Sequence, residues 1–170
     1  EVCTAEEIHV LCLFDQVGTA LAFGADLYAR LPRVANRPEK MGDQVYVDVE
    51  ENILGEVDLY LGTGCAWTLT EVCRRARADG GLFIPSHIDR PCNSLLSQLG
   101  TIPDLPCDAL EVTRQDAAGR IPAWAWRRYP RIQASDAHFL RDVGRRSVEI
   151  AAASCTVAHL REALAATTSR

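Results

Sequence analysis

Short apolar runs alternating with helically spaced segments constrain this chain more than any other feature of its sequence. The runs are "EIHVLCLF" (7–14), "LFIPSH" (82–87), "DALEVTR" (108–114), "RIQAS" (131–135) and "SVEIAA" (147–152). Each has the length of a buried strand. "EIHVLCLF" is apolar on both alternating faces, the pattern of a parallel strand covered on two sides. Between the runs, 16–32 places Val17, Ala20, Leu21, Leu27, Tyr28 and Leu31 at helical spacing before Pro32. The segment 68–81 opens on a threonine cap and closes on Gly80-Gly81, 123–130 reads as a helical turn, and 156–166 reads as a closing helix. Between 43 and 57, Val45, Val47 and Val49 alternate with polar residues, turn near Glu51-Asn52 and resume, which predicts an inserted β-hairpin. With no internal repeat and no Pro/Ser linker, the pattern predicts one α/β domain over 1–170. In such folds, chemistry gathers at the carboxyl ends of parallel strands.

Composition narrows the partners. The chain has 170 residues, 48% of them apolar, and a formal charge of −5. That charge argues against a general duplex-DNA binder, which needs a basic face to neutralise phosphates, and leaves a small phosphorylated substrate open. The apolar runs fall short of the roughly 18 to 20 residues of a membrane helix, and the first residues carry no basic leader. A cytoplasmic protein is the expectation. Seven cysteines with no CxxC spacing predict neither a disulfide framework nor a zinc ribbon, but small buried hydrophobes.

Two of the runs end on metal-capable side chains: "LFIPSH" on His87, and "RIQASDAH" on Asp136 and His138. If strand geometry persists, the i, i+2 spacing aims Asp136 and His138 to one side, beside His87 on a common rim. A carboxylate and imidazoles on one rim suit Zn²⁺, Mn²⁺ or Fe²⁺, which accept mixed nitrogen and oxygen donors. Each residue also has a plainer reading. His9 is a core histidine bonded to a carbonyl, His87 orients the turn between Pro85 and Pro91, and Asp136 caps a helix near Ala137. His159 reads as a surface or packing residue of the closing helix.

"EVCTAEEIHVLCLF", "GGLFIPSHIDRP" and "IQASDAH" resemble, in order and character, the later motifs of the PHP (polymerase and histidinol phosphatase) family of metal-dependent phosphoesterases. The likeness is greatest to stand-alone bacterial PHP proteins and runs from Glu1 to the last helix. It implies a distorted (β/α)7 TIM-like barrel with up to three divalent metals at the strand carboxyl ends. By position, it implies that Glu1 bridges two metals, that His9 and His87 bind the second, Asp136 the first and His138 a third. The family's HxH and DH motifs belong before Glu1. The expectation is therefore the C-terminal two-thirds of a single PHP domain, an incomplete barrel lacking its first strands.

The implied activity is hydrolysis of a phosphomonoester or nucleotide by a metal-activated hydroxide, with 5′–3′ exonuclease action as a variant. Asp136 and His138 are the catalytic candidates, and Arg90 is a candidate phosphate clamp because its planar fork matches phosphate oxygens. Trp124, Trp126, Arg127 and Arg128 are either a contact for a single-stranded nucleic-acid end or a helix with a packed face and solvated arginines. The alternative of another class is a non-catalytic PHP-like binding or structural module, the 170-residue chain itself being inactive.

Overall fold

The computed structural model describes residues 1–113 and 121–168. Its first strands, β1 (Val2–Cys3) and β2 (His9–Leu13), form an antiparallel hairpin. The turn between them is closed by Thr4 N–H to the Ile8 carbonyl (2.9 Å) and Glu7 N–H to the Thr4 carbonyl (2.9 Å), with Glu7 at φ +59°. Helix α1 (Val17–Tyr28) and the short α2 (Pro38–Met41) follow. A second, exposed hairpin then pairs β3 (Val45–Val47) with β4 (Ile53–Glu56) across the 43–57 segment.

Helix α3 (Leu69–Ala78) starts where the sequence places its cap. Thr68 Oγ1 accepts from Glu71 N–H and the Glu71 carboxylate accepts from Thr68 N–H, a reciprocal pair contributing on the order of 1 kcal/mol. The Glu6 carboxylate accepts the Leu69 N–H at 2.9 Å, tying the first hairpin to this helix. One face of α3 buries Leu69, Val72, Cys73 and Ala76, while Gly80 supplies the φ of +79° that ends the helix and leads into β5 (Leu82–Pro85).

After β5 come α4 (Leu95–Gln98), β6 (Leu110–Glu111), α5 (Ala123–Arg128), β7 (Arg131–Ile132) and the closing α6 (Val157–Thr168). β6 and β7 pair in parallel. Asp108, just before β6, joins the layers. Its buried carboxylate accepts from Arg77 of α3 (2.9 Å), Arg161 of α6 (2.8 Å) and the Phe83 N–H of β5 (2.8 Å). The main core lies between the first sheet, α1 and α3, with Ile8, Val10, Phe23, Trp67 and Phe83 at its centre.

Several expectations are corrected here. The described residues form a three-stranded sheet (β1-β2-β5) and two two-stranded sheets, with no closed barrel. β2 is antiparallel to β5, with Val10 opposite Pro85 and Leu13 opposite Leu82, so "EIHVLCLF" is not a parallel stave. Two-sided apolarity marks burial on both faces but not strand direction, and the tight Thr4–Ile8 turn reverses the chain. "SVEIAA" forms no strand, and most of its residues are exposed. "RIQAS" is a strand only over Arg131–Ile132, and Arg114 lies outside the described residues. Asp136 is therefore not on a strand. Its φ of +46° breaks the extended geometry on which the i, i+2 argument depended, and no helix starts at Ala137.

All seven cysteines are free, and burial pushes the Cys12 and Cys107 thiols up to about 12. No helix among the described residues is long and apolar enough to cross a membrane.

Candidate metal centre

Antiparallel pairing brings His9 and His87 together. His9 opens β2 at its amino end, His87 stands two residues beyond the carboxyl end of β5, and these two ends of the sheet coincide. The Ser86 N–H donates to the His9 carbonyl at 3.0 Å, and the two imidazoles meet edge to face with ring centres 5.2 Å apart. Glu1, leading into β1, completes the group. Its Oε2 lies 3.2 Å from His9 Nδ1 and its Oε1 lies 3.6 Å from His87 Nε2. One donor atom from each of Glu1, His9 and His87 falls within 4.8 Å of the others.

The three donors differ in surroundings. His87 is 1% exposed, adopts φ +32°, and neither ring nitrogen has a hydrogen-bond partner among the described residues. A buried imidazole without partners costs free energy, and a left-handed conformation at a non-glycine residue adds strain. Both costs are accounted for if a ring nitrogen ligates a cation. Mixed imidazole and carboxylate donors suit Zn²⁺, Mn²⁺ or Fe²⁺, so these residues fit a divalent metal.

In the protein without metal, a hydrogen bond to Cys3 and another to Glu1 raise the His9 imidazole to about 10. The Glu1 carboxyl is held well below the usual carboxylate range by the His87 and His9 imidazoles beside it. A cation seated between these groups would take the place of the His9 proton.

Asp136, His138 and Arg90 are not part of this group. Arg90 Nη1 and Asp136 Oδ2 form a close ion pair, and the His138 ring, largely exposed, bonds through Nδ1 to the Asp136 carbonyl at 2.9 Å. All three line an open cavity of about 670 Å³, together with Thr113, Phe139, Asp142, Arg145 and Arg146. A carbonyl only accepts, so His138 Nδ1 carries the proton and Nε2 of the neutral ring is left as a base or ligand atom.

The link between the two groups is Glu111 of β6, which the sequence reading passed over. Its side chain is buried and accepts from the His87 backbone N–H, and its own carbonyl accepts from the Ile88 N–H at 2.9 Å. Both bonds hold the 87–88 corner in its strained conformation. Burial pushes the Glu111 carboxyl up; His87 opposes that shift, and the negative charges of Asp136 and Glu1 add to it. Its signal in the sequence is a single charge inside the short apolar run "ALEV". Cys3, the partner of His9, carried no comparable signal.

No protein-family profile matches the chain, and no curated protein matches it. Among solved structures it is similar to the "novel lesion-specific endonuclease PfuEndoQ from Pyrococcus furiosus", with a TM-score of 0.68 and 20% sequence identity. The alignment covers 96% of this chain and 37% of that protein. At this identity the likeness bears on fold alone, and it supports the PHP-like fold implied by the motifs.

The tryptophans of α5 divide. Trp126 packs against the core and Trp124 is 43% exposed, while Arg128 pairs with Asp104. His159 lies on α6 with Nδ1 bonded to Ser154 Oγ at 2.6 Å.

Proposed function

We propose that this chain is part of a metal-dependent phosphoric ester hydrolase of the nuclease or phosphoesterase kind. The observation that carries the reading is the convergence of Glu1, His9 and buried, unpartnered His87 at one end of the first sheet. A fold similar to that of a lesion-specific endonuclease supports it. The substrate is a nucleotide, a phosphomonoester or a nucleic-acid strand, held in the cavity lined by Arg90, Asp136 and His138.

Within this reading, Glu1, His9 and His87 hold the metal, and Glu111 fixes the main chain of His87. A divalent ion bound there supplies Lewis-acid charge to phosphoryl oxygens and activates water. Arg90 clamps the phosphate with its guanidinium fork, exchanging its Asp136 partner for phosphoryl oxygens. That pair is about one-third exposed, so the exchange costs little. Asp136 and His138 are the further donors at the cavity: the carboxylate offers oxygen to a second cation, and His138 Nε2 accepts a proton or ligates. Mn²⁺, Zn²⁺ and Fe²⁺ all suit this donor set.

The test is hydrolysis of p-nitrophenyl phosphate and bis-p-nitrophenyl phosphate with added Mn²⁺ or Zn²⁺, measured on wild type, His9→Ala and Asp136→Ala. Metal-dependent turnover that both variants lose, with unchanged circular dichroism, is the expected result. Turnover that survives chelation, or an Asp136→Ala variant of normal activity, refutes the assignment. Metal binding with no cleavage of either ester indicates the non-catalytic module instead.

A further inference from the structure

The segment that follows His138 has a composition unlike its surroundings. Over 139–146, "FLRDVGRR", three arginines face one aspartate in a chain whose formal charge is −5. It also exposes apolar surface beside the cavity: Phe139 is 62% exposed, Leu140 94% and Val143 68%. Such residues seldom cluster on a surface without a ligand or partner.

The segment is pinned at its far end. The Arg146 N–H donates to Ser135 Oγ at 3.2 Å, and that hydroxyl donates back to the Arg146 carbonyl at 3.0 Å. Between the ends lie the 3₁₀ turn Leu140–Asp142 and Gly144, whose φ of +75° brings the chain back toward Ser135. The Arg141 guanidinium lies 4.8 Å from the centre of the Phe139 ring. Arg145 pairs with Asp142 at 2.7 Å in an exposed pair of little energetic value, and the Arg146 guanidinium has no hydrogen bond or ion pair with the described residues. An aromatic ring and two available guanidinium groups therefore share the wall of the cavity that holds Arg90 and Asp136.

We infer that 139–146 is a platform for single-stranded nucleic acid, in which Phe139 stacks on a base and Arg145 and Arg146 neutralise backbone phosphates leading to Arg90. Duplex hides base faces in its stack, so an open phenyl ring serves only an unpaired strand. The patch is too small, and the chain too acidic, for duplex binding through phosphates alone. Stacking on a base face and neutralising phosphates read no base edge, so binding through these contacts tolerates any sequence. The platform departs from the α5 contact considered from sequence, where Trp126 packs against the core. It deepens the hydrolase reading and rests on it for the fate of the bound strand.

The experiment is fluorescence anisotropy of a 5′-labelled short oligothymidylate with the full chain, in chelator so that neither metal nor turnover is needed. Salt-dependent binding is expected. Phe139→Ala should weaken it roughly tenfold and Phe139→Trp should retain it, since one base stacked on an aromatic side chain contributes about that factor. Arg146→Ala should lower the slope of log affinity against log salt by about 0.7. No binding, an unaffected Phe139→Ala variant, or equal affinity for a duplex of the same length overturns the platform. Ester hydrolysis without strand binding removes the platform and leaves the hydrolase reading. Strand binding without metal-dependent hydrolysis does the reverse.

Discussion

Replacing His87 with leucine gives a change whose sign depends on metal. In the metal-free protein the imidazole is buried with neither nitrogen hydrogen-bonded among the described residues, and Glu1 Oε1, at 3.6 Å, is outside bonding reach. A buried polar group left without a partner costs about 1–3 kcal/mol. The attraction to Glu1 opposes this, but that carboxylate is 36% exposed and solvent screens it. Leucine has similar bulk and no polar atoms, and the added strain of φ +32° at leucine over histidine offsets only part of the gain. His87→Leu should therefore raise stability in chelator by about 2 kcal/mol, or about 4–8 °C in melting temperature for a chain of this size. With metal at about a hundred times its dissociation constant, wild type gains about 2.7 kcal/mol and the variant gains nothing, so the ranking inverts. Thermal melts by circular dichroism, with chelator and with Zn²⁺ or Mn²⁺, read both signs. A variant less stable than wild type in chelator refutes the orphaned imidazole, and equal metal stabilisation of both proteins refutes His87 as a ligand.

Other outcomes follow from the same geometry. His9 titrates near 10 rather than 6.5, so in the metal-free protein its contribution is fully present below pH 6.5 and is lost as pH rises toward 10. Urea midpoints of wild type and His9→Gln should converge over that window, while calorimetric metal affinity increases through it as protons stop competing. Asp108→Asn leaves Arg77 and Arg161 without their shared buried carboxylate and should cost about 3 kcal/mol in urea unfolding; a loss below 1 kcal/mol contradicts its role as the joint between α3, β5 and α6. A Cβ at Gly64 would lie 2.5 Å from the Thr4 carbonyl oxygen, pressing on the hairpin that carries Cys3 and leads from Glu1. Gly64→Ala should weaken metal binding in calorimetric titration without changing a ligand, and unchanged affinity refutes the coupling.

Local chemistry made much of the fold legible. Helical spacing placed α1, and capping placed α3, because an N-cap hydroxyl and a terminal glycine act within one turn of the chain. The hairpin at 43–57 was likewise written in period-2 alternation. The runs ending on His87 and Asp136 marked residues that the fold places in two separate groups, and Arg90, singled out for its nearness in sequence to His87, lines the cavity with Asp136.

Strand direction, sheet closure and grouping were not legible, because they depend on partners distant in sequence. Burial on both faces looks the same in a parallel and an antiparallel strand, so only the fold revealed that the amino end of β2 meets the carboxyl end of β5. That meeting joins His9 to His87 across 77 intervening positions and excludes His138, although His138 stands in the more distinctive motif. Asp136 left the expected rim because its strand ends at Ile132, which let Arg90 pair with it. Sequence alone determined which side chains are capable of holding a metal and where the capped helix α3 begins and ends. Tertiary structure decided which of those side chains share a site, because donor atoms converge through strand pairing and packing rather than through spacing along the chain.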